Sequence, residues 1–244
     1  MIFPKSIFEG CTIGVVAPSS PFKKYELNVI KESFNKLGYK IKFGKSCFSS
    51  YGGYLSGEDS LRAKDIEDMF LAKDIDGILC LRGGYGTPRI LDKINYDIIK
   101  NNPKFFIGYS DITALHIAFN QKCGLVTFHG TMAGTCPEWD EFTYQSLINA
   151  INYRNTLDIK NPDNEEIYTL VEGKCEGILT GGNLSLLVST IGTDYEIDTK
   201  GKILFIEDIG ESIYKLDRML TQLDLSGKFK DCIGMRKIMK MILN

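Results

Sequence analysis

The 244 residues contain only two histidines, His116 and His129, so candidates for a general base near neutral pH are few. No charge of one sign dominates. The formal net charge is -2, which gives no overall field to draw in nucleic acid or an anionic membrane surface. C-x-x-C spacing is also missing. The seven cysteines, Cys11, Cys47, Cys80, Cys123, Cys136, Cys175 and Cys232, are odd in number and scattered. That excludes a disulfide framework and a structural zinc site. Several lie in apolar runs, such as Cys80 in Ile78-Leu79-Cys80-Leu81, and read as buried free thiols in a reducing compartment. No apolar run reaches the length of a membrane-spanning helix, and Met1-Ile2-Phe3-Pro4-Lys5 is not a basic stretch leading into a long apolar segment. A cytoplasmic protein is expected, with no membrane or nucleic-acid partner, no metal and no cofactor. Repeats and low-complexity tracts are absent as well.

What is present alternates. Residues 11–17 form an apolar run closed by Pro18-Ser19-Ser20-Pro21, which reads as a buried strand with a loop at its carboxyl end. Leu27, Ile30, Phe34 and Leu37 then recur at helical spacing, with Gly38 as a stop signal. Strands are predicted over 40–43, 77–81, 105–107 and 125–128, and helices over 60–71 and 112–120. Apolar strands alternating with helices predict an α/β fold built on a parallel sheet covered on both faces, over residues 1–150. Residues 151–166 are polar and read as a linker. Residues 167–244 read as a smaller region of mixed strands and helices, with strands over 175–179 and 202–206 and helices over 184–191 and 212–223.

Sites on such sheets gather at the carboxyl ends of strands, and three loops meet that condition: 17–21, 82–86 and 108–111. Gly108-Tyr109-Ser110-Asp111-Ile112 stands where a strand turns into a helix. A serine there is presented as a nucleophile, with helix-start N–H groups to hold an oxyanion. The usual elbow is G-x-S-x-G, and the second glycine is missing here. A serine at that point also serves as a helix N-cap, and the motif alone leaves the two readings even. Arg82-Gly83-Gly84-Tyr85-Gly86 lets the backbone approach a ligand or adds an oxyanion donor, and lacks the lysine and spacing of a P-loop. It also reads as an ordinary tight turn. Glu207, directly after the predicted strand 202–206, is placed to orient a histidine, or belongs to a solvated acidic loop. His116 sits in the body of the helix after Ser110 and His129 at the end of the strand 125–128. Both read first as structural.

Together these stretches resemble the LD-carboxypeptidase family, the serine peptidases that include the microcin C immunity proteins. The matching segments are Gly14-Val15-Val16-Ala17-Pro18-Ser19-Ser20, Arg82-Gly83-Gly84-Tyr85-Gly86, Gly108-Tyr109-Ser110-Asp111-Ile112-Thr113-Ala114-Leu115, Thr127-Phe128-His129-Gly130, Thr180-Gly181-Gly182-Asn183-Leu184, Phe205-Ile206-Glu207-Asp208 and Asp217-Arg218. No single motif is decisive, but their order and spacing are specific over roughly residues 10–230. The resemblance implies an N-terminal domain like class I glutamine amidotransferases and a smaller C-terminal domain. It implies cleavage of the bond between an L-centre and a D-amino acid, releasing D-alanine from murein tetrapeptides in cell-wall recycling. By the same resemblance Ser110 is the nucleophile, Glu207 the acidic triad member, the N–H groups of Gly84 and Asp111 the oxyanion hole, and Asn183 a substrate neighbour. The family often forms dimers, so a homodimer is the expected assembly.

One departure stands out. The family's catalytic histidine belongs to a Gly-His segment after the Glu207 region, and this chain has no histidine after His129. Residues 235–244 do not resemble the family's strand and loop, and read alone as a basic amphipathic helix. A frameshift or early stop is expected, leaving an incomplete C-terminal domain, an aggregation-prone chain and little hydrolytic activity. The alternatives are a microcin-C-type immunity hydrolase and a non-catalytic protein that binds D-amino-acid peptides. A glutamine amidotransferase relative is the weakest reading, since that chemistry puts a cysteine at the elbow.

Overall fold

The structure is a computed structural model that describes residues 1–152, 169 and 171–240. In chain order it comprises β1 (Thr12–Val16), α1 (Leu27–Lys36), β2 (Lys40–Phe43), α2 (Asp59–Leu71), β3 (Gly77–Cys80), α3 (Tyr96–Asn101), β4 (Phe105–Gly108), α4 (Thr113–Cys123), β5 (Phe128–His129) and α5 (Glu141–Ile151). It continues with β6 (Leu179–Asn183), α6 (Leu184–Ser189), β7 (Ile203–Ile209), α7 (Ile213–Leu225), α8 (Lys228–Asp231) and β8 (Gly234–Lys240).

The first five strands make one parallel sheet in the order β2-β1-β3-β4-β5. Every residue of β3 and β4 is buried, as an internal parallel sheet requires. Side chains alternate between two cores, following the strand period of two. Val16, Ile78, Cys80 and Phe106 pack with Ile66 and Phe70 of α2 and Leu115 and Phe119 of α4. Val15, Leu79 and Ile107 face the opposite side, against Ile30 and Phe34 of α1. The strand order reverses between β1 and β3, and open α/β sheets hold their ligands at the carboxyl ends of such a pair.

The last three strands form a second parallel sheet, β6-β7-β8. Its core joins Leu204 and Ile206 of β7 to Leu184 and Leu187 of α6, and takes in Ile117 of α4. The helix that follows Ser110 is therefore shared by both cores.

Several sequence expectations shift. The strand expected over 175–179 lies at Leu179–Asn183 instead and runs through Gly181 and Gly182. Here Gly181 has φ 132°, and a Cβ on it would collide with the Phe205 carbonyl of β7, so the glycine permits the pairing. The strand expected over 202–206 continues to Ile209, which places Glu207 inside β7 and not beyond it. The strand expected over 125–128 shrinks to Phe128–His129, with Leu125 held separately in a bridge to Ile2. Residues 235–240, expected to be helical, extend β8 alongside β7 over their whole length. Backbone pairing with a waiting strand edge overrides a weak helical pattern there. Helices α3 and α5 were not expected. The polar linker of 151–166 falls, from residue 153 on, outside the described residues.

Candidate active site

Ser110 has φ 62°, and among the described residues it is the one non-glycine residue with positive φ. An L-residue in the left-handed region costs about 1–2 kcal/mol, and such strain persists where the surroundings enforce it, commonly at functional sites. The enforcement is visible. Tyr109 is still extended, with φ -145° and ψ -175°, and a helical turn begins immediately, Ile112 N–H donating to Tyr109 O at 3.3 Å. The chain changes direction within one residue. Neither that turn nor α4 has a side-chain cap bond, and the residue before α4 is Ile112. Ser110 is therefore not the helix cap that its sequence position also allowed, and its hydroxyl is left for other work.

The glycine loop lies against this elbow. A Cβ on Gly83 would stand 3.2 Å from Ser110 Oγ and 3.1 Å from its Cβ, so a side chain there would have to push Ser110 by a few tenths of an ångström. Gly84 is exposed, with φ 120°, and leans on Ser20, whose Oγ accepts the Tyr85 N–H at 3.2 Å. The Asp111 N–H belongs to the first turn of a helix, where no carbonyl precedes it to accept a bond. The Asp111 side chain turns inward, 2% exposed, and accepts bonds from Ser19 Oγ at 2.6 Å and Thr87 N–H at 2.9 Å. The three loops found in the sequence thus meet at Ser110.

The second sheet joins at the same place. Gly182, φ 142°, packs on Thr113, the first residue of α4, and Asn183 N–H donates to Thr113 Oγ1 at 3.0 Å. Register pairs Asn183 with Glu207 across β6 and β7. Asn183 is buried, and its side chain is heavily committed: it caps α6 by accepting the Leu186 N–H at 3.2 Å and donates to Asp208 at 3.3 Å. Glu207 is not in a solvated loop. Its side chain is 18% exposed, and Oε1 is covered without a hydrogen-bond partner. Burial holds its carboxyl above the usual range, the Asn183 amide pulls it back, and the charge of neighbouring Asp208 pushes it up again.

His129 lies opposite Gly108 in the sheet and reaches Glu207, Nε2 to Oε1 at 3.6 Å. That distance is beyond a hydrogen bond. Burial lowers the His129 pKa to about 4, so at neutral pH a neutral ring stands beside the carboxyl group. His116 packs 6.1 Å from it, centroid to centroid. Its Nε2 meets Gly108 O at 2.8 Å and must carry the proton, which leaves buried Nδ1 without a partner. Burial first, then the nearby His129, lowers its pKa to about 3, against a smaller raising effect of the Gly108 bond. His116 is thus a strut under the elbow. Among the described residues, no three His, Cys, Asp or Glu side chains gather in a way that could hold a metal ion.

These histidines predict an acid-labile fold. Both pKa values lie below the 6.5 of an unfolded histidine, so the unfolded chain binds protons first. The stability from keeping them neutral is complete above about pH 6.5 and is lost as pH falls toward 4 and 3. By linkage the loss at pH 5 is on the order of 2 kcal/mol for His116, and smaller for the part-exposed His129. Glu207, shifted up, works the other way and offsets part of this. Thermal melts should show Tm falling between pH 7.5 and 5, with His116→Gln flattening the slope. An unchanged Tm across that range would contradict the assignment.

Comparison with known proteins follows the same outline. The signature of the LD-carboxypeptidase N-terminal domain matches residues 13–130, and that of the LD-carboxypeptidase C-terminal domain matches residues 176–236. A Bacillus subtilis (strain 168) protein named "Probable murein peptide carboxypeptidase" is 44% identical over 237 residues, covering 95% of this chain and 72% of that protein. The crystal structure of an MccF-like protein from Bacillus anthracis superimposes with TM-score 0.88 at 28% identity, covering 98% of this chain and 81% of that one. The crystal structure of muramoyltetrapeptide carboxypeptidase from Oxalobacter formigenes gives 0.80 at 28% identity, covering 94% and 78%.

Proposed function

The chain belongs to the LD-carboxypeptidase family of serine-type peptidases, and from that premise we propose that it releases D-alanine from murein tetrapeptides, with Ser110 as nucleophile. The observation that carries this is the strained elbow: Ser110 at φ 62°, uncapped, and pressed against Gly83. In this reading Ser110 Oγ attacks the carbonyl of the L-centre, and the N–H groups of Gly84 and Asp111 receive the oxyanion. Glu207 is the acidic member and Asn183 holds the wall beside it; the Ser110 proton goes to the departing nitrogen, so the D-amino acid leaves as the free amine, and water then hydrolyses the Ser110 ester. The relative's printed name favours murein peptides as substrate. The seven free thiols suit a cytoplasmic enzyme of cell-wall recycling. Among the described residues no helix is long and apolar enough to cross a membrane. A homodimer would cover apolar side chains such as Ile209 and Ile213, which the second sheet leaves exposed.

The weak point of the machinery is the base. His116 is spent on Gly108, and His129 is too far from Glu207 to be oriented by it. Where no base completes the triad, catalysis falls to what the oxyanion hole and binding supply, about 10³–10⁴-fold over water, so the rate of release by these 244 residues is the quantity to measure. The test is release of alanine from a murein tetrapeptide against the same peptide ending in L-alanine. Release from the D-terminated peptide alone supports the proposal. Equal release from both contradicts it, and release only from a microcin C substrate puts the chain with the immunity hydrolases.

A further inference from the structure

We infer that the Asp111 side chain and Arg62 form a buried positioning device that locks the three loops around Ser110 into one cradle and so fixes the oxyanion donors. The inference rests on the reading of Ser110 as nucleophile. Arg62 projects from α2 and is 0% exposed. Its Nη1 donates to Pro18 O, in the loop after β1, and to Gly86 O at 2.9 Å, in the loop after β3. Its Nε donates to Gly57 O at 3.2 Å, and Nη2 pairs with Asp59. Asp111 ties the same two loops to the third. Oδ2 takes both the Ser19 hydroxyl and the Thr87 N–H, and Thr87 Oγ1 donates to Asp111 O.

Pro18 and Ser19 belong to the loop after β1, which reaches Asp111, and Gly86 and Thr87 end the glycine loop, whose Gly83 comes against Ser110 and whose Gly84 is a proposed oxyanion donor. Directional bonds from buried polar groups fix geometry in a way that apolar packing does not. The arrangement also says what Asp111 must supply. Both incoming donors share one oxygen, so the requirement is a correctly placed acceptor, and an amide oxygen can meet it. Asp111 thus has two separable parts: its N–H faces the oxyanion, and its side chain holds that N–H, Gly84 and Ser110 in register.

The experiment compares two probes on the 1–244 chain. One is a murein peptide ending in D-alanine. The other is the same peptide cut back to the L-centre, with boronic acid in place of the scissile carbonyl. Ser110 Oγ gives an electron pair to the trigonal boron and its proton passes to solvent. The tetrahedral boronate then holds a hydroxyl at the oxyanion position. Asp111→Ala is expected to weaken the boronate by about tenfold or more, approaching the roughly 10²–10³-fold of outright loss of an oxyanion donor, and to weaken the D-alanine peptide by less than about threefold. Asp111→Asn should restore most of the boronate affinity. Equal weakening of both probes by Asp111→Ala, or no weakening, overturns the inference, as does an Asn variant no better than Ala. Should the Ala variant fail to fold, Thr87→Val, which removes one tie, must show the same split on a smaller scale, and equal losses overturn the inference. A wild-type chain that binds the peptide but not the boronate defeats the nucleophile reading instead.

Discussion

Arg62→Ala is expected to destabilise the protein by about 3–5 kcal/mol, the cost of removing one partner from a buried ionic network. The side chain is wholly covered and bonds the carbonyls of Pro18, Gly57 and Gly86 and the Asp59 carboxylate. Alanine would strand those carbonyls in the interior and open a large cavity between α2 and two loops. Arg89, also on Asp59 at 2.8 Å, keeps that carboxylate paired but is exposed and reaches none of the carbonyls. Arg62→Lys should recover only part of the loss, because an ammonium keeps the charge and not the planar fork. Urea unfolding of the three proteins measures this, and an Ala variant within about 0.5 kcal/mol of wild type, in the range of an ordinary surface change, would show that the network is dispensable.

Imidazole added to the 244-residue chain should raise D-alanine release by about tenfold or more, a fraction of the 10²–10⁴-fold that a positioned base contributes. Glu207 Oε1 is covered and has no hydrogen-bond partner, with His129 Nε2 3.6 Å away, so an imidazole N–H that displaces the His129 ring can bond there. The gain should vanish in Ser110→Ala and in Glu207→Gln. No gain, combined with release that disappears in His129→Gln, would place the base at His129.

The apolar strand runs of the first sheet and the three loops at their carboxyl ends were legible because a parallel sheet writes both into the sequence: continuous apolar strands, then glycine, serine and proline where they stop. Gly108, Ser110 and Gly83–Gly84 stand out for that reason, and the structure brings Gly83 against Ser110. Ser110's two readings could not be separated, since a cap and an elbow use the same residue at the same place, and only φ and the missing cap bond divide them. Arg62 was missed although a signal existed. It shares the inward side of α2 with Ile66 and Phe70, and an arginine at a core position of a helix asks for buried partners. The long-range ties from Ser19, Thr87 and Thr113 had no local signature, because their partners lie 92, 24 and 70 residues away. The second sheet was harder to read for a similar reason. The role of Gly181 and Gly182 shows only once the Phe205 carbonyl and Thr113 that press on them are known.

The measurement that bears most directly on Ser110 as nucleophile is boron NMR of the peptide boronate bound to wild type and to Ser110→Ala. A tetrahedral boron signal in the wild-type complex that is absent from the alanine variant is the predicted result. A tetrahedral signal of equal strength in both, or peptide binding by wild type with the boron still trigonal, would contradict it.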